Sequence, residues 1–300
     1  MKYVWAGAIA ATLLAACGGG NPFVDDSTTP TTPGTGSSAV PAAVEGNLGT
    51  FTFNTTTGVL TIEGVALEAD ALNATYVRKP ALDRGGYLAY TSQEDGLSRH
   101  STAYVRDING TRALVVMTGP QAGSVFGGAS YSRAGAYDPV GSNVTPNGGL
   151  VTYLGNYVGL LNGSGSSEDL ITPPPGTPPS LAPGQAAEIT GFVLLNADFT
   201  DNKVNGRITN RNIPDFGGVT PEDIDLAPTD ILADGTFTGT VEQNNNARGT
   251  YGGIFGGVES AQVAGGLFVE DHISQLSDEE ERGIFVLVQC GQPGDDPLCP

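Results

Sequence analysis

The sequence predicts an all-β protein: a β-rich handle domain followed by an eight-stranded antiparallel β-barrel, after an export signal and an unstructured tether. Three observations predict it. Glycine fills 44 of 300 positions, and helical periodicity is scarce. Short stretches of apolar–polar alternation recur between turn residues, which is the pattern of strands. Residues 149–290 divide into eight such stretches, enough to close a small barrel and leave no sheet edge free.

The first sixteen residues read as a signal peptide. Lys2 supplies a positive start, and Val4 to Leu13 form an apolar run too short to span a bilayer. Leu14-Ala15-Ala16-Cys17 follows and resembles the bacterial lipobox. The resemblance implies cleavage before Cys17 and acylation of that residue. Two or more acyl chains anchor a protein stably where one does not, so a membrane is the first partner expected, through Cys17. Gly18 in place of Asp favours the outer membrane by the same resemblance. Residues 18–45 are rich in Gly, Pro, Ser and Thr. Such a stretch buries too little apolar surface to offset its ordering entropy, and reads as a tether reaching roughly 30 Å.

Removal of the signal leaves 12 Lys and Arg against 32 Asp and Glu. That balance argues against nucleic acid, whose binding depends on cationic side chains, and against docking on an anionic lipid face. It suits a soluble exported surface. Cys290 and Cys299 remain after the lipid cysteine, and a single leftover pair in an exported chain suggests one disulfide. It would stabilise by roughly 2–3 kcal/mol and pin the tail, residues 291–300, to the last strand.

The handle domain is expected over 46–140. Phe51 and Phe53 open a strand, Thr55 to Gly58 turn it, and Val59 to Ile62 return. Tyr87–Thr91, Ser101–Arg106, Arg112–Thr118 and Gly128–Arg133 read as further strands. Asn109-Gly110 tolerates the positive φ of a type I′ hairpin turn. Residues 134–149 read as a linker.

The barrel is expected over 149–290. Its strands lie near Leu150–Gly159, Ile189–Phe199, Lys203–Thr209, Glu222–Ile231, Phe237–Val241, Arg248–Phe255, Ala261–Val269 and Ile284–Cys290. Val204, Gly206 and Ile208 share one face of the third, with Lys203, Asn205 and Arg207 on the other. Ile284, Val286, Val288 and Cys290 share a face of the eighth. Small and large residues alternate on the inward faces, predicting a packed interior instead of a ligand cup. A membrane-spanning barrel would turn Lys203 and Arg207 to lipid, at roughly 2–4 kcal/mol per cation near the midplane.

Three stretches together resemble the transferrin-binding protein B family of surface lipoproteins. They are Val151-Thr152-Tyr153-Leu154-Gly155-Asn156-Tyr157-Val158-Gly159, the hairpin Asp198 to Thr209, and Arg248-Gly249-Thr250-Tyr251-Gly252-Gly253-Ile254-Phe255-Gly256-Gly257 with Ala264-Gly265-Gly266-Leu267-Phe268. The resemblance covers 149–290. It implies an eight-stranded barrel preceded by a handle on a lipid-anchored protein, binding an extracellular protein or nutrient, with iron- and haem-related ligands in the family's range. The transferrin receptor subunit has two such lobes, and this chain has room for one. Ligand contacts in that family lie in variable loops, so none carries over.

Loops are therefore the candidate binding elements. The longest, 160–187, reads as disordered or functional. The next, 210–221, presents Arg211 and Phe216, both interface-type residues, although a lone loop Phe is more often an anchor.

No catalytic constellation is legible in the sequence. The two histidines, His100 and His272, are few for a triad. Gly128-Ala129-Ser130-Tyr131-Ser132 lacks the final Gly of a nucleophile elbow. Asp271-His272 reads as a solvated strand end. No Cys/His spacing suits zinc, no phosphate-binding loop or dinucleotide fingerprint calls for a cofactor, and Asp198 to Asn202 reads as a hairpin turn before a calcium loop. Ser277 to Arg282 reads as a solvated charge run. The expectation is a non-enzymatic surface lipoprotein binding through barrel and handle loops. The alternative is a periplasm-facing envelope protein without a soluble ligand.

Overall fold

The computed structural model describes residues 40–65, 73–141 and 149–299. The signal, Cys17 and most of the tether lie outside them. Among the described residues no helix is long and apolar enough to cross a membrane.

Seven antiparallel strands in sequence order form the handle: β1 (Leu48–Asn54), β2 (Val59–Gly64), β3 (Asn73–Arg78), β4 (Leu88–Ser92), β5 (Ser101–Ile108), β6 (Thr111–Thr118) and β7 (Gly127–Arg133). β3 was not expected. Its apolar residues lie close to Arg78 and Lys79 and follow no clean alternation. The Asn109-Gly110 hairpin forms with both residues at positive φ, 53° and 84°, and Ile108 faces Thr111 across it. The Asn47 amide donates to the Gly127 carbonyl at 2.9 Å, drawing β1 towards β7 and nearly closing the sheet.

Eight further strands close the barrel: β8 (Leu150–Ser164), β9 (Ala186–Asp198), β10 (Lys203–Asn212), β11 (Ile224–Asp230), β12 (Thr236–Gln243), β13 (Asn246–Gly256), β14 (Gln262–Glu270) and β15 (Glu280–Gln289). Consecutive strands pair antiparallel, and β15 returns to β8. The interior is packed with Tyr153, Tyr157, Phe237, Tyr251, Phe255 and Phe285, all buried. The Phe255 ring sits 5.0–5.6 Å from those of Phe199, Phe237 and Tyr153, within the range of favourable aromatic pairs. The register sets Gly239 opposite Tyr251, Phe237 opposite Gly253 and Gly265 opposite Phe285. Each ring thus occupies the volume its partner glycine leaves empty.

The handle packs on the outside of β13, β14, β15 and β8. One core joins Tyr87, Tyr104, Met117 and Tyr131 of the handle to Val158, Leu160, Ile254, Ile284 and Val286 of the barrel. Full burial of side chains this size contributes about 1.5–3 kcal/mol each, so the two sheets form one packed body. Tyr87 Oη donates to the Asn156 carbonyl at 2.8 Å and accepts from the Val286 amide at 3.0 Å. This corrects the expected face of the eighth strand. Ile284 and Val286 point outward into the handle, while Phe285 and Leu287 fill the barrel. A strand buried on both faces carries no alternation from which the inward face can be read.

Two boundaries move. Residues 42–45, expected as tether, form a one-turn helix, α1 (Ala42–Glu45), whose Val44 is buried between handle and barrel. Residues 134–141, expected as linker, turn under the barrel. Val140 joins its core, and the Tyr137 ring packs over Gly235 with the Arg133 guanidinium 5.4 Å from its centre. Cys290 and Cys299 are bonded, with 5.3 Å between their Cα atoms.

Candidate functional site

The connections at one end of the barrel carry the candidate site. β8 and β9 are joined there by residues 165–185, β10 and β11 by 213–223, and β14 and β15 by 271–279. The first of these, which the sequence left between a disordered and a functional loop, is held by bonds to the handle. It forms a strap across the handle.

Asp169 is the main attachment. Its Oδ1 lies 2.6 Å from Lys79 Nζ, and its Oδ2 accepts from Thr91 Oγ1 at 2.5 Å and faces His100 Nε2 at 3.4 Å. Burial pushes this carboxyl up, but the donors from Lys79, Thr91 and His100 outweigh it and hold it below the usual carboxylate range. Burial pushes His100 down, against the pull of Asp169. Further along, the Ile171 amide donates to Gln93 Oε1 at 2.8 Å. Gln121 Nε2 donates to the carbonyls of Leu97 and Leu181 at 2.8 and 2.9 Å. The Gly184 amide donates to the Pro120 carbonyl at 2.9 Å. Prolines on the strap limit the freedom these bonds must remove. A second ion pair, Arg84–Glu188 at 2.7 Å, ties the handle to the start of β9; burial pushes the Glu188 carboxyl up.

Beneath the same end lies a buried polar network. The Arg211 guanidinium pairs with Glu281, and both side chains are fully buried. Glu281 also accepts from Tyr157 Oη and lies 2.8 Å from His272 Nε2. Arg211 Nη1 donates to the Glu222 carbonyl at 2.7 Å. Glu279 Oε1 accepts from the amides of His272 and Ile273, both at 2.6 Å. Burial alone would raise the Glu281 carboxyl, but Arg211, His272 and Tyr157 hold it down at about 2.

Three sequence expectations change here. Arg211 stands at the end of β10 and points into the barrel, so it presents nothing to a partner. His272 is fully buried instead of ending a solvated strand. Within the charge run, Glu279 and Glu281 turn inward while Glu280 stays exposed, because β15 begins at Glu280 and its alternation governs them. Phe216 is half-buried and packs on Gly163 and the barrel core, which makes it an anchor for its loop. The signal that could have revealed the network is the pairing of a lone interior Arg with an acid in a strand. Nothing in the sequence named the partner 70 residues away.

Asp198 Oδ1 accepts from the amides of Thr200 and Asp201 at 2.9 and 3.1 Å, as in a hairpin turn. Ser130 lies buried in β7, without the turn a nucleophile elbow needs. Among the described residues no group of His, Cys, Asp and Glu is arranged to hold a metal ion.

No family model matches the sequence, and no curated protein does. Solved structures match it only at low identity and low TM-score. Transferrin-binding protein B of Neisseria meningitidis serogroup B is 11% identical over 80% of this chain and 51% of that one, with a TM-score of 0.38. A mutant of the same antigen from Haemophilus parasuis is 10% identical over 80% and 53%, at 0.35. A protein of unknown function from the DUF3598 family of Nostoc punctiforme is 10% identical over 81% and 87%, at 0.26. The chain spans about half the length of the transferrin-binding structures. These values assign it no function.

Proposed function

We propose that this protein is a lipid-anchored surface protein that binds an extracellular protein or nutrient through the exposed connections of its barrel and handle. The observation that carries the reading is the filled barrel. Aromatic rings occupy its middle, the Arg211–Glu281 network one end, and Tyr137 and Val140 the other. A small ligand finds no cup there, and recognition falls to the outer surface, where the strap and the handle stand together. The anchor rests on Leu14-Ala15-Ala16-Cys17. The acidic surface and the absence of a catalytic constellation in the sequence favour binding over catalysis.

Proteinase treatment of intact cells, followed by immunoblotting, tests the placement. Rapid loss of the chain supports surface exposure. Survival until the outer membrane is broken favours the periplasm-facing alternative. Cys17→Ala should release the protein from membranes and abolish labelling by radioactive palmitate. Capture of a defined component from host fluid or growth medium by intact cells tests the binding itself.

A further inference from the structure

We infer that Leu97, Ile171 and Leu181 form one docking surface, and that it fits a cationic polypeptide segment carrying large apolar side chains. The inference rests on the reading of the chain as a binding protein and names the partner's chemistry.

The three residues come from two separate parts of the fold. Leu97 belongs to the handle connection between β4 and β5; Ile171 and Leu181 belong to the strap. They are 51%, 45% and 53% exposed. Their proximity follows from the hydrogen bonds. A single carboxamide, Gln121, reaches the carbonyls of both Leu97 and Leu181. A β-carbon at Gly96 would stand 2.5 Å from the Thr172 carbonyl oxygen, so the Leu97 turn and the Ile171 end of the strap lie against each other. Three large aliphatic side chains left half in water on one rigid patch have no role in the core beneath. The strap is already ordered by its bonds to the handle, so a partner meets a surface whose ordering cost is met in advance.

Charge selects the occupant. Glu94, Asp95 and Glu168 border the patch, and none forms an ion pair among the described residues. The Asp95 carboxylate accepts from the amides of Leu97 and Ser98 at 2.8 Å, which fixes it beside the patch. The nearby cations are engaged elsewhere. Lys79 pairs with Asp169, and the Arg99 guanidinium donates to the Ser124 carbonyl at 2.7 Å and stacks on Phe126. An apolar patch with an uncompensated acidic border attracts Lys- and Arg-bearing segments and repels acidic ones.

The test uses the full chain and a phage-displayed library of random peptides, selected at low ionic strength. The expected winners carry aliphatic or aromatic residues flanked by Lys or Arg. Their affinity should fall at least tenfold on Ile171→Lys and, independently, on Leu97→Lys, each of which removes an apolar contact and repels a basic segment, and should weaken as salt rises. Both positions are half-exposed and lie on different segments, and unchanged thermal unfolding of either variant checks that it folds. Selected peptides without a basic bias, peptides whose affinity ignores both substitutions, or no enrichment at all would each overturn the inference. Peptides that bind elsewhere would leave the broader binding reading intact, whereas failure of capture by intact cells bears on that reading alone.

Discussion

The ring of Phe285 lies across Gly265 inside the barrel. The two face each other in the β14–β15 register. A β-carbon at 265 would overlap the ring and stand 2.6 Å from the Gly252 carbonyl oxygen. The backbone on one side and the packed ring on the other leave no direction for relief. Gly265→Ala should therefore destabilise by about 1–3 kcal/mol, seen as a fall of several degrees in the thermal midpoint. An unchanged midpoint would mean that the interior has slack the packing does not reveal.

Removing the charge from Glu281 should cost more. Glu281→Gln leaves the Arg211 guanidinium buried without a counter-charge, a change of about 3–5 kcal/mol. The double variant Arg211→Met with Glu281→Gln should recover much of that loss, because it removes the stranded charge. Chemical denaturation of Arg211→Met, Glu281→Gln and the double variant decides it. Additive losses would show that the pair is not coupled.

Acid stability follows from the same carboxyl. Its folded value, about 2, lies below the ordinary Glu value near 4.3. A lowered carboxyl stabilises the fold fully above the unfolded value, and the contribution is lost as pH falls through the folded one. The shift corresponds to about 3 kcal/mol. Unfolding free energy should thus decline between about pH 4 and pH 2, and Glu281→Gln should flatten that limb. A parallel decline in the variant would assign the acid sensitivity to other groups.

Asp169→Asn should loosen the strap without unfolding the barrel. It weakens the bond to Lys79 and changes what Thr91 and His100 meet. Hydrogen bonds to charged groups contribute about 1.5–3 kcal/mol, so amide exchange should quicken across 165–185 while the barrel strands keep their protection. Faster exchange throughout the barrel, or none in the strap, would contradict the role assigned to this carboxylate.

Much of the architecture was legible because strand periodicity is local. Val204 and Ile208 on one face and Lys203 and Arg207 on the other can be read from six consecutive residues, and Asn109-Gly110 announces its hairpin from two. The eight barrel strands and six of the seven handle strands follow from such signals. The candidate site was less legible. The loop holding Ile171 and Leu181 carries the Pro, Gly and Ser of a disordered segment. Its order comes from Gln93, Gln121 and Lys79, donors and acceptors that lie distant in sequence.

The fold class, every strand but β3, the acidic composition and the pairing options of two cysteines were legible in the amino-acid sequence, because they depend on neighbours along the chain or on composition. The tertiary structure alone decided which way Phe285 and Val286 point, since a strand covered on both sides loses its alternation. It alone turned Arg211 from a loop residue into the partner of Glu281, and a proline-rich loop into a strap. A buried ion pair and a docked loop are set by residues that only the closed barrel and the handle packed against it bring within a few ångströms.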